Sequence, residues 1–244
     1  MKAMIFAAGL GTRLKPITDS IPKALVPICG KPLILWQIEK LSAMGCTELV
    51  VNVHHFADML EEYLKAHIPT GMTLHISDER LDLLDTGGGL KKAAPFLSEA
   101  TAHPILIHNV DILSNAPLLS FYQNNQNNEA TLLVSSRATS RYLLFNNENC
   151  LVGWINIKTG EIKTPYKQLD LSQCQRYAFS GIHLFSPRLF PLMESWPNKF
   201  SIIDFYLSVC KEHRIYADIQ PQLKLLDVGK QDTLAAAEEF VKTL

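Results

Sequence analysis

The chain has 244 residues, with 23 basic and 24 acidic side chains and a formal net charge of -1. Near-neutrality removes the field that a nucleic-acid binder needs, and a composition of 47% hydrophobic and 19% charged residues excludes disorder. Five scattered cysteines lack a C-x-x-C pair, the N-terminal apolar run is broken too early for a signal peptide, and no later run reaches the length of a membrane span. These features point to reduced thiols in a cytoplasmic protein.

Residues 3–7 read as a buried strand that ends in a Gly-rich turn. Ile34, Ile38 and Leu41 fall at helical spacing ahead of Gly45. Glu48–Val53 is a second strand, and Met59, Leu60, Tyr63 and Leu64 mark one face of a following helix. Residues 105–108 form a third strand, which stops at Asn109-Val110-Asp111. This alternation predicts an α/β chain with a Rossmann-like three-layer α/β/α arrangement and a mostly parallel, mixed central sheet. Residues 130–134 continue the core. Residues 142–145 and 151–154 then read as an antiparallel hairpin, with a further turn at Lys158-Thr159-Gly160-Glu161. Within one domain covering 1–244, residues 135–178 are expected to form an antiparallel insertion over the open end of the sheet. Residues 182–185 return to the core, Ile202–Val209 is a helix, residues 223–226 run into Asp227, and residues 232–241 form a last amphipathic helix.

The most informative segment is Ala7-Ala8-Gly9-Leu10-Gly11-Thr12-Arg13-Leu14, directly after the first strand. Glycines there let backbone approach a phosphate chain, and successive N–H groups make an anion-binding concavity. The segment is no P-loop, because G-x-x-x-x-G-K-[ST] occurs nowhere in the chain. It also fails the dinucleotide fingerprint, since Leu14 stands where the third glycine belongs, which argues against a dehydrogenase. A Gly-x-Gly alone is a common turn. Ten residues on, however, Ile21-Pro22-Lys23-Ala24-Leu25-Val26-Pro27 holds a lysine in a loop stiffened by two prolines, better explained as a charge clamp than as a solvated side chain. Asp111 and Asp227 each follow an apolar run, where ligands of open parallel sheets gather. Magnesium favours one or two carboxylates plus phosphate oxygens, although either aspartate alone would read as a strand-end cap.

AAGLGTRLKP followed by PKALVP resembles the signature of the sugar-nucleotide pyrophosphorylases, the nucleoside-diphosphate-sugar nucleotidyltransferases. The resemblance implies Mg2+-dependent transfer of a nucleotidyl group from a nucleoside triphosphate to a sugar 1-phosphate. It puts Ala8, Gly9, Gly11, Thr12 and Arg13 around the triphosphate, with Arg13 on the leaving pyrophosphate and Lys23 at the reacting centre. Asn109-Val110-Asp111 and Asp227-Val228-Gly229 match its two metal-binding segments, with Val110 where glycine is usual. Asp85-Thr86-Gly87-Gly88-Gly89 is similar to a loop that lines base and ribose in small bacterial N-acetylmuramate-1-phosphate uridylyltransferases and some mannose-1-phosphate guanylyltransferases. This assigns Thr86, Gly87, Gly88 and Asn109 to the nucleotide. Gly181, in Phe179-Ser180-Gly181-Ile182, falls beneath the sugar. The usual Glu-Lys-Pro is absent; Lys163 stands in for it, with Arg137 and Arg141 as rivals.

Two alternatives stand beside this reading. One is a cytidylyltransferase for phosphocholine or another non-sugar phosphate, which Trp154 and Tyr166 would suit. The other is a catalytically silent nucleotide-binding regulatory protein, suggested by Val110 and the missing Glu-Lys-Pro. Neither nucleic acid nor membrane is expected as a partner, and the stretch after Asp227 is too short for the acyltransferase domain of some relatives. The adjacent His54 and His55 point to opposite sides of an extended segment and read as loop residues, and His108 as a strand histidine.

Overall fold

The structure, a computed structural model, describes residues 1–98 and 103–244. Its strands in chain order are β1 (Lys2–Phe6), β2 (Pro27–Ile28), β3 (Lys31–Pro32), β4 (Glu48–Val53), β5 (Thr73–Asp78), β6 (Ile105–Asn109), β7 (Ile112–Ser114), β8 (Ala130–Ser135), β9 (Arg141–Phe145), β10 (Leu151–Asn156), β11 (Glu161–Lys163), β12 (Gln175–Phe185), β13 (Ile215–Ile219) and β14 (Leu225–Asp227). The helices are α1 (Leu33–Ala43), α2 (Ala57–His67), α3 (Asp85–Leu97), α4 (Leu118–Asn124), α5 (Phe190–Met193), α6 (Ile202–Val209) and α7 (Leu234–Val241).

The wide sheet runs β5-β4-β1-β6-β12-β8-β13, and among the described residues only β12 opposes the direction of its other strands. Both faces are covered, and the alternation of side chains sorts them. Ala3 and Ile5 of β1, with Leu49 and Val51 of β4, face a cluster completed by Ile34 and Ile38 of α1, Leu60 and Leu64 of α2 and Ala237 of α7. Met4, Phe6 and Val50 face the opposite cluster, with Leu90 of α3 and Phe205 and Tyr206 of α6. This is the three-layer α/β fold with a mixed, mostly parallel sheet.

The chain passes from β1 to β4 and β5 on one side, then returns to β6 on the other side of β1. The carboxyl ends of β1 and β6 therefore flank the point where strand order reverses, the usual location of a ligand crevice. Beyond β8, β9, β10 and β11 form a small antiparallel sheet within 135–178. It joins the core through β12, whose first residues, Gln175–Tyr177, pair with β9 before Ile182–Phe185 pair with β6.

Several elements differ from the sequence expectation. The strand expected at 182–185 begins at Gln175, because a bulge around Gly181 (φ 76°) and a polar first half conceal its continuity. Asp85-Thr86-Gly87-Gly88-Gly89 is not a loop but the first turns of α3. Three glycines and the internal Pro95 hide that helix from pattern reading. β5, a polar edge strand, and β13 gave no clear apolar signal.

Candidate active site

Residues from separate parts of the chain meet at the ends of β1 and β6, around a cleft of about 300 Å³ lined by Ala8, Gly9, Lys23, Thr86, Asn109 and Asp111, among others. Phe6 lies opposite Asn109, and the Val110 amide donates to the Phe6 carbonyl at 3.1 Å. In the Gly-rich turn, the Ala7 and Ala8 amides donate to Asn52 Oδ1 at 2.7 and 3.3 Å. Among the described residues, the next three amides, of Gly9, Leu10 and Gly11, meet no protein acceptor. That leaves a short row of N–H donors for an anion. Gly11 has a left-handed φ of 64°, and a Cβ there would fall 2.8 Å from Thr18 Cγ2 and 3.1 Å from Lys23 Cβ. The turn is thus packed against the lysine loop.

Lys23 begins a 3-10 turn (Lys23–Leu25), is 9% exposed, and forms an ion pair with Asp111. Asp111 lies between β6 and β7. β7 pairs antiparallel with β14, setting Asp227 opposite Ile112, and the Val228 amide donates to the Asp111 carbonyl at 2.8 Å. Gln37 and Lys40 of α1 donate to the Ile112 and Ser114 carbonyls of β7. Burial, then the negative charge of Asp111, push the Asp227 carboxyl up, opposed by Lys23, Arg13 and Arg137. A Cβ on Gly229 would lie 2.6 Å from Asp227 Oδ1 and 2.7 Å from Arg13 Nη2, so the glycine makes room for the guanidinium beside the carboxylate. Among the described residues, no group of three or more His, Cys, Asp or Glu side chains is arranged to hold a metal ion. Two carboxylates under mutual repulsion suit a divalent cation whose remaining ligands are water and phosphate oxygens, not a closed protein cage.

The chain matches the family profile described as nucleotidyl transferase over residues 2–243. It belongs to the nucleotidyl transferase family. It is 46% identical to the N-acetylmuramate alpha-1-phosphate uridylyltransferase of Caulobacter vibrioides over 97% of this chain and 95% of that protein. It is 28% identical to mannose-1-phosphate guanyltransferase beta-A of Xenopus laevis over 94% of this chain and 61% of that longer protein. Its fold is similar to that of UDP-glucose pyrophosphorylase solved with UDP-glucose, with a TM-score of 0.76 at 20% identity over 100% of this chain and 99% of that one.

In this nucleotidyltransferase, Arg13, Lys23, Asp111 and Asp227 come together, with Ala8, Gly9, Gly11 and Thr12 in the adjoining turn. Gly181 also reaches the site: a Cβ there would fall 2.7 Å from Asn109 Nδ2. Thr86 lines the cleft, but Gly87 and Gly88 are buried and donate their amides to the Phe200 carbonyl at 2.9 and 3.2 Å. Their lack of a side chain serves packing, since a Cβ on Gly87 would meet the Phe200 ring at 2.4 Å and one on Gly88 the Asn198 carbonyl at 2.0 Å. Lys163 lies in a second cleft and pairs with Asp204 at 2.9 Å. Arg137 lines that second cleft as well, and its charge still reaches Asp227.

Sequence reasoning missed Asn52 and Glu79. Asn52 Nδ2 donates to Glu79 Oε1 at 2.7 Å, and Glu79 Oε2 accepts from the Leu84 amide at 3.1 Å. Glu79 is fully buried, and burial pushes its carboxyl up. The polar Asn52 within the apolar Glu48–Val53 strand was the one signal that could have exposed this network. His54 donates to the Glu79 carbonyl at 2.6 Å, and His108 to the Asn109 carbonyl at 2.7 Å; both are structural partners of the loops around the cleft. No described helix is long and apolar enough to cross a membrane.

Proposed function

We propose that this nucleotidyltransferase transfers a uridylyl group from UTP to a sugar 1-phosphate of the N-acetylmuramate type, releasing pyrophosphate. The observation that carries this reading is the meeting of Arg13, Lys23, Asp111 and Asp227 beside a turn with unclaimed amides. The choice of base and sugar rests on the 46% identity with the Caulobacter uridylyltransferase, which extends over nearly both chains.

An acceptor phosphate oxygen attacks the α-phosphorus in line; the new P–O bond forms as the bond to the β-phosphate oxygen breaks, and pyrophosphate leaves. The acceptor is already anionic near neutral pH, so no general base is required, and the protein acts through position and charge. The Gly9–Gly11 amides and Arg13 hold the β- and γ-phosphates and take up charge on the leaving group. Lys23 draws the two anions together, and Asn109 and Thr86 face the nucleoside. Asp111 and Asp227 are the residues that would hold Mg2+, which when bound neutralises phosphate charge and polarises the α-phosphate. The five free thiols fit a reducing compartment, the cytoplasm.

The second cleft carries Arg137, Arg141 and Lys163 against Glu161 and Asp204, a net positive lining that counts against phosphocholine. Retention of both aspartates, Arg13 and Lys23 counts against a silent regulator. The test is pyrophosphate release with Mg2+ across the four nucleoside triphosphates, paired with N-acetylmuramate, glucosamine, mannose and glucose 1-phosphates and with phosphocholine. UTP with N-acetylmuramate 1-phosphate is expected to be the productive pair. Turnover of another pair alone would replace this assignment, and triphosphate binding without turnover of any acceptor would favour the regulator.

A further inference from the structure

The second cleft, of about 520 Å³, lies between the small β9–β11 sheet and the start of α6. It adjoins the first: Lys199 lines one and Ser201 the other, and Arg137 borders the second while its charge reaches Asp227. Its floor follows from strand register. Arg141 and Leu143 of β9 stand opposite Asn156 and Trp154 of β10, which stand opposite Glu161 and Lys163 of β11. Alternate residues share a face, so an aromatic ring, an amide and several charges cover one surface.

The charges in this cleft are not equivalent. Lys163 is held by Asp204 at 2.9 Å and lies 5.4 Å from the Trp154 ring centroid. Arg137 donates to the Phe179 carbonyl at 2.9 Å. Among the described residues, the exposed Arg141 guanidinium has no ion-pair partner, although Glu161 lies on the same floor two strands away. The phosphate that reacts must sit by Lys23 and the two aspartates, so Arg141 is not needed for it. A planar fork beside an aromatic floor matches a carboxylate in bidentate fashion.

We propose that the second cleft reads a carboxylate carried by the acceptor sugar, with Arg141 as its principal partner. This inference rests on the acceptor being a sugar 1-phosphate, as proposed above. It assigns the cleft to acidic sugars, those with an anionic substituent in addition to the anomeric phosphate.

The experiment compares N-acetylmuramate 1-phosphate with N-acetylglucosamine 1-phosphate, which lacks the lactyl carboxylate, in the full chain and in Arg141→Ala and Arg141→Lys. Pyrophosphate release with UTP gives KM for each acceptor, and calorimetry gives the Kd of each without turnover. In Arg141→Ala the ratio of KM for the carboxylated acceptor to KM for the acceptor without the carboxylate should rise about tenfold, with Arg141→Lys in between and kcat little moved. An equal change for both acceptors, or none, overturns the inference. If neither acceptor is turned over, the transferase reading fails and calorimetry decides this one. A preference for the carboxylated sugar that Arg141→Ala removes upholds it; equal binding of the two sugars sinks it.

Discussion

The amide of Val228 donates to the carbonyl of Asp111 at 2.8 Å, and through that bond two aspartates from distant parts of the chain share one site. The side chains depend on it: β14 brings Asp227 opposite Ile112, and Asp111 then raises the proton affinity of its neighbour. Asp111→Asn and Asp227→Asn should each lower kcat by about a thousandfold while leaving the fold intact. Asp227→Asn should also leave the metal-free thermal midpoint unchanged or slightly raised, because it removes a charge that Asp111 repels. Added Mg2+ should stabilise the wild type and not this variant. Full turnover in either asparagine variant would remove the aspartates from the mechanism.

Gly229 is where the backbone yields to Arg13. With Nη2 only 2.7 Å from the Cβ that an alanine would carry, Gly229→Ala must displace the guanidinium. Activity should fall about ten- to a hundredfold with little loss of stability, and combining it with Arg13→Ala should add almost nothing. Additive losses in that double-mutant cycle would mean the glycine acts elsewhere.

Gly88→Ala should behave in the opposite way. Its Cβ would lie 2.0 Å from the Asn198 carbonyl, a backbone atom that cannot swing aside. A stability loss of about 2–4 kcal/mol in urea titration is expected, with activity reduced in proportion to the folded fraction. A variant of normal stability that bound nucleotide poorly would restore Gly88 to the nucleotide site.

Asn52→Ala strips the acceptor from the Ala7 and Ala8 amides and the donor from Glu79. Buried groups left without partners should cost about 2–4 kcal/mol, and the loosened turn should raise KM for the triphosphate more than KM for the acceptor. Equal effects on the two KM values would reduce the network to general stability.

Acid should destabilise the protein through two histidines. His108 uses Nδ1–H on the Asn109 carbonyl, and its buried Nε2 has no partner among the described residues. His183 is buried with its Nδ1 against the Tyr206 hydroxyl at 2.7 Å. Burial lowers their pKa values to about 4 and about 3 respectively. Both lie below the unfolded value of about 6.5, so the unfolded chain binds more protons in that range. Their stabilisation is complete above about pH 6.5 and declines as pH falls towards 4, by up to about 1.4 kcal/mol per pH unit for each histidine. Urea midpoints between pH 7.5 and 4.5 should therefore fall less steeply in His108→Leu. An unaltered slope in that variant would assign the acid sensitivity to other groups.

Much of this was written locally. The apolar runs at 3–7 and 105–108, the helical spacing of Ile34, Ile38 and Leu41, and the Glu48–Val53 strand marked the α/β core, because both faces of a parallel sheet must be apolar. The Gly-rich turn and the lysine loop were legible for a similar reason: left-handed φ at Gly11 and a proline-stiffened loop are properties of neighbouring residues.

Tertiary structure decided whatever depended on partners far along the chain. Only the pairing of β7 with β14 brings Asp111 and Asp227 to one point, and a three-residue strand leaves too short a pattern to predict its pairing. The glycines at 87 and 88 read as an open loop until Phe200 and Asn198 filled the space beside them. Lys163 and Arg141 came to differ in charge pairing only once Asp204, on a helix some forty residues later, took one of them and left the other. Sequence determines backbone propensity and the sides of each element that must be buried; long-range packing determines which charges are neutralised, and so which remain for a substrate.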